Sequence, residues 1–190
     1  MGKVGAMKFL PAWVWLVGLG LVGSVGAEEE APVAGESEAR EEMQASADKG
    51  ARRNITLGAM FREEFKQQEG VQELKSGILY KVEATGTGKT PKLSDWVKVN
   101  YAGKHVDGKV FDQSKGEPVR MRVDRTVPGW QEVLPRMREG DKWEVVIPSH
   151  LGYGAKGTGA GNIGANETLV FSIELVEVED PAKKAEAKSP

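Results

Sequence analysis

The feature that most constrains the fold is a series of five short segments in which apolar and polar residues alternate. Alternation with a period of two is typical of β-strands that bury one face. The residue pair Asp107-Gly108 follows the second segment and predicts a hairpin turn, because tight hairpins favour residues that tolerate positive φ. The alternating positions are Ile78, Tyr80 and Val82; Val97, Val99 and Tyr101; Val119, Met121 and Val123; Trp143, Val145 and Ile147; and Leu169, Phe171, Ile173 and Leu175.

One short helical pattern interrupts these strands. Apolar residues recur at the spacing of a single helix face, at Trp130, Val133, Leu134 and Met137. Pro128 suits the start of a helix, whereas Pro135 lacks an N–H donor and should end or kink it. Because strands and helices do not alternate regularly, the sequence predicts an α+β fold: an antiparallel β-sheet wrapped around one short α-helix. Residues 70–178 form this predicted domain.

Two segments of different composition precede the domain. Residues 28–54 are rich in Glu, Ala, Ser and Gly and poor in aliphatic side chains, which predicts a flexible linker or a fraying helix. Residues 55–69 predict a helix that leads into the domain and docks on it, with apolar side chains at helical spacing (Leu57, Met60, Phe61 and Phe65). Residues 179–190 predict a disordered tail.

The N-terminus has the order of features of a secretory signal peptide. Lys3 and Lys8 precede an uncharged stretch at residues 9–27, which ends in small residues just before three glutamates. We therefore expect residues 1–27 to be a cleaved leader and the protein to be exported, with the periplasm as its compartment. The alternatives are secretion into the medium or an uncleaved membrane anchor, because the uncharged stretch approaches the ~20 residues that span a bilayer.

Composition excludes several classes of function. The chain has no cysteine and only two histidines, so disulfides, thiolate zinc sites, thiol nucleophiles and multi-histidine metal centres are excluded. Its net charge of −2 argues against nucleic-acid binding, which depends on a basic surface that neutralises phosphates. We expect no metal and no cofactor.

Three motifs carry a resemblance to a known family when they are read together. They are VKVNYAGKHVDGKVFDQS at residues 97–114, VPGW at 127–130 and LGYG at 151–154, followed by a glycine-rich loop that ends in NETLVF at 166–171. In these motifs the chain resembles the FKBP-type peptidyl-prolyl cis-trans isomerases, nearest to the exported bacterial members related to the macrophage infectivity potentiator. The resemblance covers about residues 70–178, and residues 61–79 resemble the approach to the domain in that subgroup.

The resemblance implies an apolar pocket between the sheet and the short helix. It implies Asp112, Tyr153, Trp130 and Phe111 as catalytic residues, with Trp130 at the pocket floor. The substrate-binding residues that the resemblance implies are Tyr101, Val119, Met121, Thr126, Val127, Ile163 and Phe171. Val119 departs from the family pattern, because many relatives carry an aromatic residue there, and no histidine occupies the loop after Tyr153.

The function that the resemblance implies is isomerisation of X-Pro bonds in exported proteins, which assists their folding. Its partners would be proline-containing polypeptide clients, with macrolide inhibitors as further ligands. An alternative is a binding module or holdase chaperone that uses the same scaffold with little turnover. A monomer is expected rather than a dimer through residues 36–69, because that leading segment is short and contains Gly50 and Gly58.

Overall fold

A seven-stranded antiparallel sheet, a short helix packed on it and a long N-terminal helix make up the structure. The computed structural model describes residues 34–158 and 161–179. The predicted leader and all of the predicted tail except residue 179 lie outside these residues. The elements are α1 (Ala34–Lys66), β1 (Val71–Glu73), β2 (Leu79–Ala84), β3 (Trp96–His105), β4 (Val110–Gln113), β5 (Val119–Arg122), α2 (Pro128–Val133), β6 (Lys142–Ile147) and β7 (Leu169–Val178).

The sheet has the strand order β1-β2-β6-β7-β3-β4, and β5 also pairs with β3. Its centre is the long pairing of β3 with β7, which runs from Val97 opposite Val178 to His105 opposite Leu169. The predicted hairpin is confirmed: Gly108 has a φ of 86° in the turn between β3 and β4. The α+β class is confirmed as well. Strand β1 was not predicted, because three residues are too few to show a period.

The short helix α2 packs its apolar face on the sheet. Both prolines act as predicted, since α2 begins at Pro128 and changes into a 3₁₀ turn at Leu134–Arg136, which contains Pro135. A β-carbon on Gly129 would stand 2.7 Å from Ile147 Cγ2, so glycine allows α2 to lie directly on β6. The main buried cluster contains all four predicted helix residues and residues from β3, β6 and β7 (Trp130, Val133, Leu134 and Met137; Val97 and Val99; Val145 and Ile147; Ile173 and Leu175).

A second buried cluster covers the other face of the sheet, because neighbouring residues of a strand point to opposite faces. It contains Phe65, Leu79, Val146 and Val170, with Phe61 and Val71 packed against it. The C-terminal part of α1 therefore docks on its own domain, as predicted. Of the apolar residues predicted for this helix, Leu57 and Met60 stay 39% and 64% exposed.

Over residues 34–54 the structure has a helix, the second of the two alternatives for this segment, rather than a flexible linker. Helix α1 is continuous from Ala34 and ends at Lys66 rather than at residue 69. At 33 residues it is about 50 Å long. Alanine, glutamate, arginine, glutamine and methionine are strong helix formers, so local propensity supports a helix where no apolar face exists. Side chains from Ser37 to Gly50 are all exposed.

Candidate active site

A cleft of about 460 Å³ opens between the start of α2 and one half of the sheet. Strands β3, β4, β5 and β7 each contribute to its wall, as do the segment that leads into α2 and the loop after β6. The lining residues are Tyr101, Phe111, Asp112, Met121, Arg125, Thr126, Val127, Trp130, Tyr153 and Phe171. Two of them, Trp130 and Phe171, are only 4% exposed, whereas Tyr153 at the rim is 39% exposed.

The aromatic side chains of the cleft meet edge to face. The ring centroids of Tyr101 and Trp130 are 5.5 Å apart, those of Trp130 and Phe171 are 5.5 Å apart, and those of Phe111 and Phe171 are 5.7 Å apart. Each contact of this kind stabilises the arrangement by about 0.5–1.5 kcal/mol beyond simple burial. The wall is therefore apolar and has a fixed shape.

Gly103 makes the close approach of two of these rings possible. A β-carbon at this position of β3 would stand 2.6 Å from Phe111 Cζ and 2.9 Å from Phe171 Cε1. Real β-carbon contacts are longer than this, so any larger residue would displace the rings. Tyr101 lies two residues earlier on β3 and therefore projects from the same face of the sheet.

The segment before α2 is held by side-chain hydrogen bonds. Gln131 Nε2 donates to the Thr126 carbonyl oxygen at 2.7 Å, and Thr126 Oγ1 donates to the Val123 carbonyl oxygen at 2.7 Å. Val127 is extended (φ −64°, ψ 152°) and precedes Pro128, which begins the helix. These contacts fix the part of the wall that Thr126 and Val127 form.

The polar groups of the cleft are concentrated around one carboxylate. The Tyr101 hydroxyl donates to Asp112 Oδ2 at 2.7 Å. Burial and this hydrogen bond, together with the carboxylate charge, raise the pKa of Tyr101 to about 12. The pKa of the Tyr153 hydroxyl is also raised, mainly by burial and to a smaller extent by the charge of Asp112. Both phenols are therefore protonated at neutral pH, and each can donate a hydrogen bond.

Most of the residues predicted for the site lie together in this cleft, but two do not. Val119 is 37% exposed on β5, where it pairs with Val99 of β3, and it is absent from the cleft lining. Ile163 is 3% exposed in the main core cluster, since its loop folds back so that its N–H meets Thr158 Oγ1 at 3.1 Å. The other predicted residues all line the cleft.

Arg125 also lines the cleft, although the sequence analysis did not select it. It ends the 3₁₀ turn Val123–Arg125, immediately before the predicted residues Thr126 and Val127. An arginine in a turn is usually solvated, so composition gave no reason to choose it. Its position between a strand and the start of α2 is the sequence feature that could have indicated a place for Arg125 in the cleft lining.

Among residues 34–158 and 161–179, no group of three or more His, Asp or Glu side chains could hold a metal ion. None of the helices in the described part of the chain is both long and apolar enough to cross a membrane. A second cavity of about 410 Å³ lies beside α1 and has a more polar lining that includes Arg53, Asn54, His105 and Glu167.

Two family models match the chain in adjoining segments. Residues 87–176 match the model described as FKBP-type peptidyl-prolyl cis-trans isomerase, which covers the strands and helix that build the cleft. Residues 25–82 match the model described as the domain amino terminal to FKBP-type peptidyl-prolyl isomerase, which covers α1.

Curated relatives have similar sequences. The FKBP-type peptidyl-prolyl cis-trans isomerase FkpA of Escherichia coli K12 is 43% identical over 155 residues, which are 80% of this chain and 56% of that protein. The outer membrane protein MIP of Legionella longbeachae is 42% identical over 137 residues, which are 71% of this chain and 58% of that protein. The chain thus spans a little over half the length of these relatives.

Solved structures have the same fold. The crystal structure of FkpA from Escherichia coli matches with a TM-score of 0.73 at 41% identity, over 77% of this chain and 68% of that one. A peptidyl-prolyl cis-trans isomerase from Pseudomonas syringae pv. tomato matches with a TM-score of 0.64 at 39% identity, over 68% of this chain and 96% of that one.

Proposed function

Because the chain belongs to the FKBP-type peptidyl-prolyl cis-trans isomerase family, we propose that its cleft accelerates rotation about X-Pro bonds of polypeptides. The observation that carries the proposal is the cleft itself. It combines a nearly buried indole, from Trp130, with an aromatic wall and a few polar groups at the rim. The volume of the cleft lies in the range of ligand-binding sites, and its apolar lining suits an apolar group such as a proline ring.

The reaction needs stabilisation of a twisted amide rather than transfer of a proton. Rotation about a peptide bond crosses a barrier of about 18–20 kcal/mol, because twisting destroys amide resonance. The planar amide has the more polarised carbonyl, so it loses more than the twisted form when water is removed. An apolar cleft therefore favours the transition state over the ground state.

The side chains of the cleft divide this task. Trp130 offers an apolar surface on which the proline ring packs. Tyr101 and Phe171 meet the indole edge to face and limit the positions that the ring can take. The Tyr153 hydroxyl makes no hydrogen bond to any of the described residues, so it is free to donate to a carbonyl oxygen of the bound peptide.

Asp112 acts through the phenols. Its carboxylate accepts the hydrogen bond from Tyr101. Burial first, and the charge of this carboxylate after it, raise the pKa of Tyr101 and of Tyr153 and so disfavour the phenolate form of both. The Tyr153 hydroxyl therefore remains available as a donor to the peptide throughout the physiological range of pH, while the Tyr101 hydroxyl donates to Asp112.

The partners that we propose are proline-containing polypeptides, and the predicted leader supports exported proteins as the clients. Macrolide inhibitors, which the resemblance to the family implies, are the further ligands that we propose. We also propose that the chain acts as a monomer. Analytical ultracentrifugation tests this last point, since a mass twice that of the chain would contradict it.

The experiment that tests the function is refolding of a protein whose slow step is proline isomerisation, with and without the full chain. We expect the slow phase to become faster in proportion to the amount of chain added. The double variant Phe111→Ala with Asp112→Ala should lose most of this effect while its circular dichroism spectrum stays that of a folded protein. An unchanged slow phase with the wild-type chain would contradict the proposal.

A holdase function is the second candidate, and exposed apolar side chains on α1 favour it. Met43, Ile55 and Met60 are 71%, 55% and 64% exposed. If these side chains hold unfolded clients, the chain should suppress aggregation of a client without proline, and Trp130→Leu should leave that suppression intact. Substitution of the three residues by serine should remove it.

A further inference from the structure

A side-chain contact between a histidine and a glutamate behind the cleft joins the end of β3 to the loop before β7. His105 Nδ1 lies 2.8 Å from Glu167 Oε2, and the two side chains are only 17% and 21% exposed. The residues are 62 positions apart in the chain, so the pair connects two segments that only the sheet brings together. Neither residue lines the cleft.

The ring of His105 contacts a cleft residue directly. It meets the ring of Phe111 edge to face, with centroids 5.2 Å apart and an interplanar angle of 64°. Phe111 in turn meets Phe171, and the Cα of Gly103 lies close beneath both rings. The Phe111 ring is therefore held between His105 on one side and Phe171 on another.

The loop that carries Glu167 is itself held by α1. Asn54 Nδ2 donates to the Ala165 carbonyl oxygen at 2.9 Å, and the residues are 111 positions apart. Gly58 lies against Thr168, the residue after Glu167. The position of the carboxylate therefore depends on how the N-terminal helix docks.

We propose that His105, oriented by Glu167, is a positioning residue that holds the Phe111 ring in the wall of the cleft. The proposal rests on the isomerase function proposed above. The Glu167 carboxylate selects one orientation of the imidazole, and that orientation presents the ring edge to Phe111. Without the carboxylate the imidazole can turn about χ2, and Phe111 gains freedom that opens the cleft to water.

The test is a double-mutant cycle on kcat/KM for a short peptide with leucine before proline. Glu167→Gln keeps the size of the side chain and removes its charge, and His105→Gln removes the ring. Each is made in the wild-type chain and in a Phe111→Leu chain. In the wild-type background we expect each change to lower kcat/KM by about threefold to tenfold, which lies within the range that coupling between contacting residues produces. In the Phe111→Leu background the loss should be less than about twofold.

A matched control exists in the same sheet. Lys98 Nζ and Glu177 Oε2 form a 2.7 Å ion pair between β3 and β7 away from the cleft, so Glu177→Gln removes the same charge without touching Phe111. We expect its kcat/KM to equal that of the wild type. An equal loss from Glu167→Gln in both backgrounds, or no loss in either, would overturn the proposal.

A second readout separates this proposal from the function on which it rests. The chain has five phenylalanines, so ring-labelled phenylalanine gives few signals in NMR spectra. We expect Glu167→Gln and His105→Gln to shift and broaden the Phe111 ring signals, and Glu177→Gln to leave them unchanged. A wild-type chain without isomerase activity would contradict the function alone. Unchanged Phe111 signals in Glu167→Gln would overturn the positioning role, whatever the activity.

Discussion

Gly58 of α1 lies so close to Thr168 that a β-carbon on residue 58 would overlap the threonine Oγ1. This contact fixes the N-terminal helix on the loop that leads into β7. The hydrogen bond from Asn54 to the Ala165 carbonyl lies one helical turn earlier on the same helix. The helix is thus a structural part of the domain at its C-terminal half, although its first half is exposed.

Two glycines of α1 should respond in opposite ways to the same substitution. Gly50→Ala adds a β-carbon that meets nothing within 4 Å, so it should stabilise the helix by about 1 kcal/mol through helix propensity. Gly58→Ala gains the same propensity but forces α1 away from Thr168, and we expect a net loss of stability. Thermal unfolding followed by circular dichroism measures both. A rise in Tm for Gly58→Ala equal to that for Gly50→Ala would contradict the docking.

Trp130 should matter for both stability and activity, whereas Trp143 should matter for stability alone. Both indoles are nearly buried, at 4% and 6% exposed. Trp143 stacks on Tyr80 at a centroid distance of 4.6 Å and does not line the cleft. Each substitution by leucine should cost about 2–4 kcal/mol of unfolding free energy, somewhat below the cost of a full truncation to alanine.

Isomerase assays below the unfolding transition distinguish the two variants. Trp130→Leu should lower kcat/KM by at least about tenfold, which corresponds to about 1.4 kcal/mol of lost transition-state stabilisation. Trp143→Leu should keep a kcat/KM within about twofold of the wild type. Equal activities for the two variants would show that the indole of Trp130 is only a core residue.

The Tyr101 hydroxyl predicts a loss of stability at alkaline pH. Its pKa is raised to about 12 from an ordinary value of 10.0, so the folded state holds its proton more tightly than the unfolded state does. The stabilisation is complete below about pH 10 and is lost as the pH rises towards 12. Tyr101→Phe has no such proton, so its stability should fall less than that of the wild type in this window. Urea unfolding at a series of pH values measures the difference, and parallel curves would contradict the assignment.

Arg125 predicts a charge preference among substrates. It and Asp112 are the charged residues of the cleft lining, and the Asp112 carboxylate already accepts a hydrogen bond from Tyr101. A guanidinium at the rim should favour peptides with glutamate beside the proline over peptides with lysine there, by a few-fold at low salt. Arg125→Glu should reverse this order, whereas Arg52→Glu on the exposed part of α1 should not. If the wild type and Arg125→Glu have the same order of preference for the two peptides, Arg125 does not determine the charge preference.

The sequence predicted the elements that local physics determines. Pro128 and Pro135 bound α2, and the period of two marks β6 and β7, because each signal lies within a few residues. The N-terminal part of α1 was harder to predict, because its strong helix formers favour a helix whereas the absence of an apolar face favours a linker. Propensity decides the outcome there.

The composition of the cleft was predictable only in part. The resemblance pointed to residues such as Trp130 and Asp112, but the neighbours that the sheet register brings together carry no local signal. His105 meets Glu167 only because β3 pairs with β7 so that His105 stands opposite Leu169. Ile163 and Val119 were predicted for the site but do not line the cleft. The sequence alone does not show whether an apolar side chain near the site faces the cleft, the core or the solvent.

The most direct test of the central claim is exchange between cis and trans signals of a proline peptide in NMR spectra, at a concentration of chain far below that of the peptide. Without catalysis the exchange takes tens to hundreds of seconds. The account predicts that the wild-type chain makes it at least about tenfold faster and that Trp130→Leu removes most of this acceleration. Exchange at the uncatalysed rate in the presence of a folded wild-type chain would contradict it.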